Sequence, residues 1–183
     1  FGVAFGRCAL GAATLLIVAK VRGFRLPTDR KILFHLWIVA LLLNVIPGIF
    51  FALAETEVTS VLAGIINAVT PLMTLIAILL VNRSEQPKQS QIVGLLIGFA
   101  GVLIVLGAWN GLGDNPWWAV AILLLAVTCY GFSFPYTRKF VIPLGISSEA
   151  IVAQQLLLAS FTLLPIYLID GVSLNTLTVG PVT

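Results

Sequence analysis

Charge is what this sequence has least of. Asp, Glu, Lys and Arg make up 9% of its 183 residues, against about 25% in an ordinary soluble domain. So few charges cannot cover a water-facing globular surface, which excludes a soluble enzyme or binding module as the class. Histidine occurs once, at His35, and cysteine twice, at Cys8 and Cys129. With no CxxC or Cys/His spacing, neither a metal site nor a cofactor is expected, and the cysteines read as small packing residues. The apolar segments hold no paired carboxylates and no Ser/His pair, so no catalytic residue is assigned. Their connections are too short to hold a soluble catalytic module. What the chain does have is 60% hydrophobic residues and a mean hydropathy of +1.11. The expected fold is an all-α integral membrane protein, a polytopic helix bundle.

Six apolar runs follow one another: 2–19, 33–53, 58–81, 92–109, 117–136 and 150–169. Each is long enough to cross a bilayer core as a helix of about 20 residues. The chain begins FGVAFGRC inside one apolar run and stops at GPVT just after another. It is expected to be a fragment, truncated at both ends.

The connections alternate in charge. The first carries Lys20, Arg22, Arg25, Arg30 and Lys31; the second only Glu55 and Glu57; the third Arg83 and Lys88. The fourth carries Asp114, the fifth Arg138 and Lys139, and Asp170 follows the last run. Every loop base therefore falls on one side, which the positive-inside rule makes cytoplasmic, and the start of the chain lies outside. The net charge of +3 belongs to these loops rather than to a nucleic-acid surface, so no nucleic-acid partner is expected. Trp109, Trp117 and Trp118 bracket Asp114, while Trp37 and Tyr136 stand near the basic side, as in an aromatic belt. His35, one turn beyond Lys31, reads as an interfacial anchor in preference to a proton relay.

The third run is the most informative. Ser60, Gly64, Asn67, Pro71 and Thr74 follow at steps of four, three, four and three, with Thr70 beside them. That spacing puts them on one helix face, opposite Leu62, Ile65, Ile66, Val69, Met73 and Ile76. Hydrocarbon cannot satisfy a polar stripe, so the face must meet protein or a water-filled path. Pro71 has no N–H and frees the carbonyl of Asn67. Close helix packing and a solute path both fit the stripe, and periodicity does not separate them.

Other runs carry related features. Asn44, Pro47 and Gly48 lie in the second; Thr128, Gly131 and Pro135 in the fifth; Gln155, Ala159, Thr162 and Pro165 in the sixth. Pro47, Pro71 and Pro135 are the expected helix breaks, and so many internal prolines suit bendable helices around a cavity. Gly94, Gly98 and Gly101 form an extended GxxxG face in the fourth run, read as a helix-packing surface. Arg7 is the lone charge within a run. It either snorkels to the headgroups or serves as a cavity cation for an anionic or zwitterionic solute.

A shift of 148 residues lays RCALGAATLL (7–16) over QLLLASFTLL (155–164). Leu10, Thr14, Leu15 and Leu16 recur as Leu158, Thr162, Leu163 and Leu164, and Arg7/Gly11/Thr14 falls on Gln155/Ala159/Thr162. The offset spans five helices, an odd number, so the copies cross in opposite directions, as inverted-topology repeats do.

TSVLAGIINAVTPLMTLIAILL (59–80), GLLIGFAGVLIVLG (94–107) and CYGFSFPYTRKF (129–140) resemble the EamA-like branch of the bacterial drug/metabolite transporter superfamily. The resemblance implies ten helices in two inverted repeats of five, with the present runs similar to the second through seventh. Residues 1–109 would be most of the first repeat and 117–183 the start of the second. Family members often place a glutamate directly after the third run; here NRSEQ sets Glu85 further on. The expected function is a secondary transporter or exporter of small metabolites in a bacterial inner membrane, against a receptor or structural membrane protein or a membrane-embedded enzyme. Its partners would be a small-molecule solute and the lipid bilayer, with proton or ion coupling left open. The residues assigned to the solute path are Arg7, Asn44, Asn67, Thr70, Tyr130 and Gln155.

Overall fold

The computed structural model describes residues 2–81, 88–105 and 115–170. Among these residues the regular structure is all helical: α1 (Gly2–Arg22), α2 (Arg30–Ala40), a π turn (Leu41–Val45), α3 (Ile46–Ala54), α4 (Ser60–Asn67), α5 (Thr70–Val81), α6 (Gln89–Val105), α7 (Trp117–Phe140) and α8 (Ser148–Asp170). α2, the π turn and α3 form one continuous span of 25 residues, and α4 with α5 forms one of 22. Among the described residues five spans are long and apolar enough to cross a membrane. The described part of the run expected over 92–109 belongs to α6; Arg83, Glu85, Trp109 and Asp114 lie outside the described residues.

Local chemistry fixes the helix ends. Asp29 caps α2, its carboxylate accepting from the Lys31 N–H at 2.8 Å and the Ile32 N–H at 3.3 Å. Thr59 caps α4 by accepting from the Leu62 N–H at 3.3 Å. Each cap satisfies donors that the first helical turn leaves without a partner. α1 ends at Gly23, which takes φ 73°, a conformation that costs glycine little.

The second span is the hub. Ala54 joins Val58, Leu62, Ala63, Ile66, Ala119, Leu123 and Val127 in one buried cluster. Ala40 and Val45 join Cys8, Ala159 and Leu163 in a second. Leu36 and Val39 join Val141 and Ile151 in a third. Alanine recurs through these clusters because lipid tails are as apolar as leucine; helices associate by close approach, which small residues permit. Gly131 shows the limit: a Cβ there would lie 2.7 Å from the Met73 backbone carbonyl carbon. α1 and α8 run antiparallel along their lengths, with Phe5 stacked on Tyr167 at 4.9 Å, Gly11 against Leu156, and Arg22 3.8 Å from Glu149.

Several expectations are corrected here. On the expected apolar face of the third span Leu62, Ile65 and Ile66 are buried and Ile76 is exposed, while Asn67 and Pro71 of the polar stripe are exposed. Asn67 and Pro71 thus lie outside the packed cluster, in which Leu62, Ala63 and Ile66 interlock with α7's alanines and leucines. Pro135 does not end its helix: α7 continues through it to Phe140. At Gly94, Gly98 and Gly101 a Cβ would meet no atom within 4 Å among the described residues; this does not overturn the packing role expected of them.

Candidate functional site

The chain ends of the helices sort into two groups. Glu55, Thr56 and Asn115 gather at one end, where the Thr59 N–H donates to Asn115 Oδ1 at 3.3 Å. Arg22, His35, Tyr136 and Glu149 gather at the other. We refer to these as the acidic and basic ends.

A cavity of about 510 Å³ opens at the acidic end. α1 contributes Val3, Ala4 and Arg7; α3 contributes Gly48, Phe51 and Ala52; the turn after it contributes Glu55 and Thr56; α4 contributes Asn67 and α7 Tyr130. The spacing Gly48, Phe51/Ala52, Glu55 places these residues on one face of α3, as Val3/Ala4 and Arg7 share one face of α1. Gly48 lets the two helices meet, since a Cβ there would stand 3.3 Å from the Ala4 side chain. Phe51 and Tyr130 form an aromatic wall with ring centroids 6.2 Å apart. The Arg7 guanidinium stands near the Tyr130 hydroxyl, and both residues line the cavity. Asn67 lies seven residues into its span, so the cavity reaches about 10 Å from the acidic end.

Both broken spans border this cavity. Pro71 removes the donor for the Asn67 carbonyl, and helix regularity lapses at Ala68 and Val69. There the Val69 N–H donates to the Ile66 carbonyl at 3.0 Å, a tighter turn, before α5 starts with Pro71 in its first turn. The π turn Leu41–Val45 stands immediately before Pro47, with the Ile46 N–H donating to the Leu41 carbonyl five residues back. Such turns accommodate local strain in helices and frequently mark working sites.

Three of the six expected path residues, Arg7, Asn67 and Tyr130, line the cavity; Asn44, Thr70 and Gln155 do not. Asn44 sits in the π turn at 8% exposure, and its Nδ2 has no hydrogen-bond partner. Thr70 Oγ1 is likewise buried without one. Each lies ten residues from the acidic end of its span, about 15 Å deep and below the cavity floor. A buried polar group left unmatched costs about 1–3 kcal/mol. Gln155 and its neighbour Gln154 are buried on α8 at 6% and 8% exposure. Glu55 and Phe51 were not assigned to the path; the face they share with Gly48 was the available signal. Among the described residues no group of His, Cys, Asp or Glu could hold a metal ion.

The sequence profile of the EamA-like transporter family matches residues 1–107. The chain belongs to that family. The relatives it matches include the protein named "Uncharacterized inner membrane transporter YedA" from Escherichia coli strain K12, 32% identical over 168 residues, covering 91% of this chain and 53% of the relative. The proteins of the same name from the O6:H1 strain CFT073 and from O157:H7 match to the same extent. The chain thus spans about half the length of the curated relatives it matches. No solved structure matches it.

Proposed function

We propose that this chain forms most of one repeat and the start of a second in a transporter of small solutes, embedded in a bacterial inner membrane and working by alternating access. The observation that carries this reading is the convergence of polar residues from four spans on one cavity that opens at one end of the bundle. The family and the name of the E. coli relatives agree with it. The α1/α8 pair supports the repeat. Its contacts run 5 with 167, 11 with 156 and 22 with 149. A two-fold carrying each residue onto the one 148 further on would cross that pair near Gly11 and Ala159, where small side chains let equivalent helices meet.

By the positive-inside rule the basic end is cytoplasmic and the cavity opens outside. Solute would enter past Glu55 and Thr56, reach Asn67, and then meet the unmatched amide and hydroxyl of Asn44 and Thr70 when the broken spans move. Pro47 and Pro71 supply the flexing points, and residues 1–109 and 117–183 belong to different repeats. Glu55, the carboxylate that lines the cavity, is where a coupling proton would bind.

The test is transport by the full-length protein in proteoliposomes. Asn67→Ala should cut transport at least about tenfold, the size of a lost hydrogen bond to solute, with folded yield near wild type because Asn67 is exposed. Ile76→Ala, an exposed site on the opposite side of the same span, should leave both unchanged. A parallel fall in yield and activity at Asn67 would instead assign the stripe to packing.

A further inference from the structure

We infer that Ile151 and Gln155 of α8 line a second cavity, facing the cytoplasm, that opens when the cavity at the acidic end closes. Gln155 there takes the place that Arg7 holds in the open cavity. This deepens the alternating-access reading above and rests on it.

α1 and α8 are equivalent in detail as well as in sequence. The Thr14 hydroxyl donates to the Leu10 carbonyl at 2.8 Å, and at the equivalent positions the Thr162 hydroxyl donates to the Leu158 carbonyl at 2.8 Å. Their packing is reciprocal. Gly11 meets Leu156; exchanging each residue for its equivalent turns that pair into Ala159 and Cys8, which share one buried cluster. Yet the first two turns of the helices have opposite surroundings. Gly2, Val3 and Arg7 are exposed, and Val3 and Arg7 line the open cavity. Their equivalents Ala150, Ile151 and Gln155 are buried, at 1%, 8% and 6% exposure. Ile151 belongs to the closed cluster at the basic end with Leu36, Val39 and Val141.

Two equivalent helices that cross in opposite directions, one with its first turns open and the other with them shut, are what one state of a two-fold cycle presents. The reverse state exchanges the two environments: Val3 and Arg7 are covered, and Ile151 and Gln155 meet water. Gln155 lies seven residues into α8, about 10 Å from the basic end, as deep as Asn67 lies from the acidic one. Burying its amide in an apolar span costs free energy unless it is hydrogen-bonded, and packing alone would be served by an apolar side chain. A wall that is wetted for part of the cycle needs the polar one, and its amide offers a passing solute both a donor and an acceptor.

The experiment uses the full-length protein with every native cysteine replaced by alanine, in intact cells and in inside-out membrane vesicles. Gln155→Cys should be nearly silent toward a membrane-impermeant maleimide from either face. Leu36→Ala, which loosens the cluster that shuts the basic end, should raise its rate from the cytoplasmic face by about tenfold or more, because truncating a buried leucine weakens the state in which it is packed. Val39→Ala should act in the same direction and replaces Leu36→Ala should that variant fold poorly. In the loosened protein carrying Asn67→Cys as well, fluorescein maleimide attached at Asn67 from outside wedges the acidic-end cavity open. It should cut the cytoplasmic rate at Gln155 by about tenfold or more, which local unfolding of the basic end would not allow. No cytoplasmic reaction at Gln155→Cys in either loosened variant, reaction there from outside, or a rate that the wedge leaves unchanged each overturns the inference. Failure of Asn67→Cys to react from outside overturns the cavity reading together with this one; reaction at Asn67→Cys without any at Gln155→Cys overturns this inference alone.

Discussion

The two ends of the bundle are built differently. At the acidic end α1, α3, α4 and α7 stand around an open cavity lined by Arg7, Glu55, Asn67 and Tyr130. At the basic end α2, the end of α7 and α8 close on one another. Leu36, Val39, Val141 and Ile151 are 0%, 1%, 0% and 8% exposed and form one cluster. Above it His35 Nδ1 is 2.8 Å from the Tyr136 hydroxyl, and the Phe140 ring stacks on His35 at 5.5 Å and 6°. The Arg22–Glu149 pair adds little, for both side chains are solvent-exposed. A channel would need both ends open, and a scaffold would need neither. A bundle open at one end and packed with apolar side chains at the other is the arrangement that the proposed alternating-access cycle expects of one of its states. Between the two ends lie the π turn before Pro47 and the lapse before Pro71, the parts of the helix ladder that hold fewest regular bonds.

The strongest way to break the contrast is to loosen the sealed end. Leu36→Ala should lower stability by about 2–5 kcal/mol, the range for truncating a fully buried leucine, read as the detergent melting midpoint of the full-length protein. Val3→Ala, at a cavity-lining position that is 87% exposed, should change it by less than about 0.5 kcal/mol. Equal effects at the two sites would erase the difference between the ends. A smaller effect belongs to the aromatic latch. Tyr136→Phe removes the hydroxyl partnered with His35 and keeps the ring, so it should cost about 0.6 kcal/mol, the average for one hydrogen bond between membrane helices. A cost of several kcal/mol would make the latch, rather than the apolar cluster beneath it, the seal.

Much of this was legible in the sequence, and the reasons are physical. That the chain is a bundle of membrane-spanning helices follows from hydropathy, which needs no tertiary information, and five of the six expected runs appear among the described residues as helices long enough to cross. Arg7 and Asn67 announced themselves as polar groups in apolar runs, and both line the cavity. The orientation of the third span was not legible. In lipid an apolar side chain is at ease against either tails or protein, so hydropathy cannot say which apolar face is packed. For the same reason the central place of the second span, with a single polar residue, Asn44, in its middle, gave no sign of itself. The prolines were visible but their effects were not: Pro71 coincides with a lapse in the helix, Pro47 with a π turn, and Pro135 with an unbroken helix. A proline removes one donor; what the backbone then does depends on its neighbours.

The central claim is that the cavity is a water-filled path opening outside while the basic end is shut. With every cysteine of the full-length protein, Cys8 and Cys129 among them, replaced by alanine, a single cysteine at Asn67 should react with a membrane-impermeant thiol reagent added outside, and a transported solute should slow that reaction. A cysteine at Val39, 1% exposed in the sealed cluster, should stay unreactive from either side in the same state. Failure of the Asn67 cysteine to react from outside, or reaction there that no transported solute slows, would contradict the account.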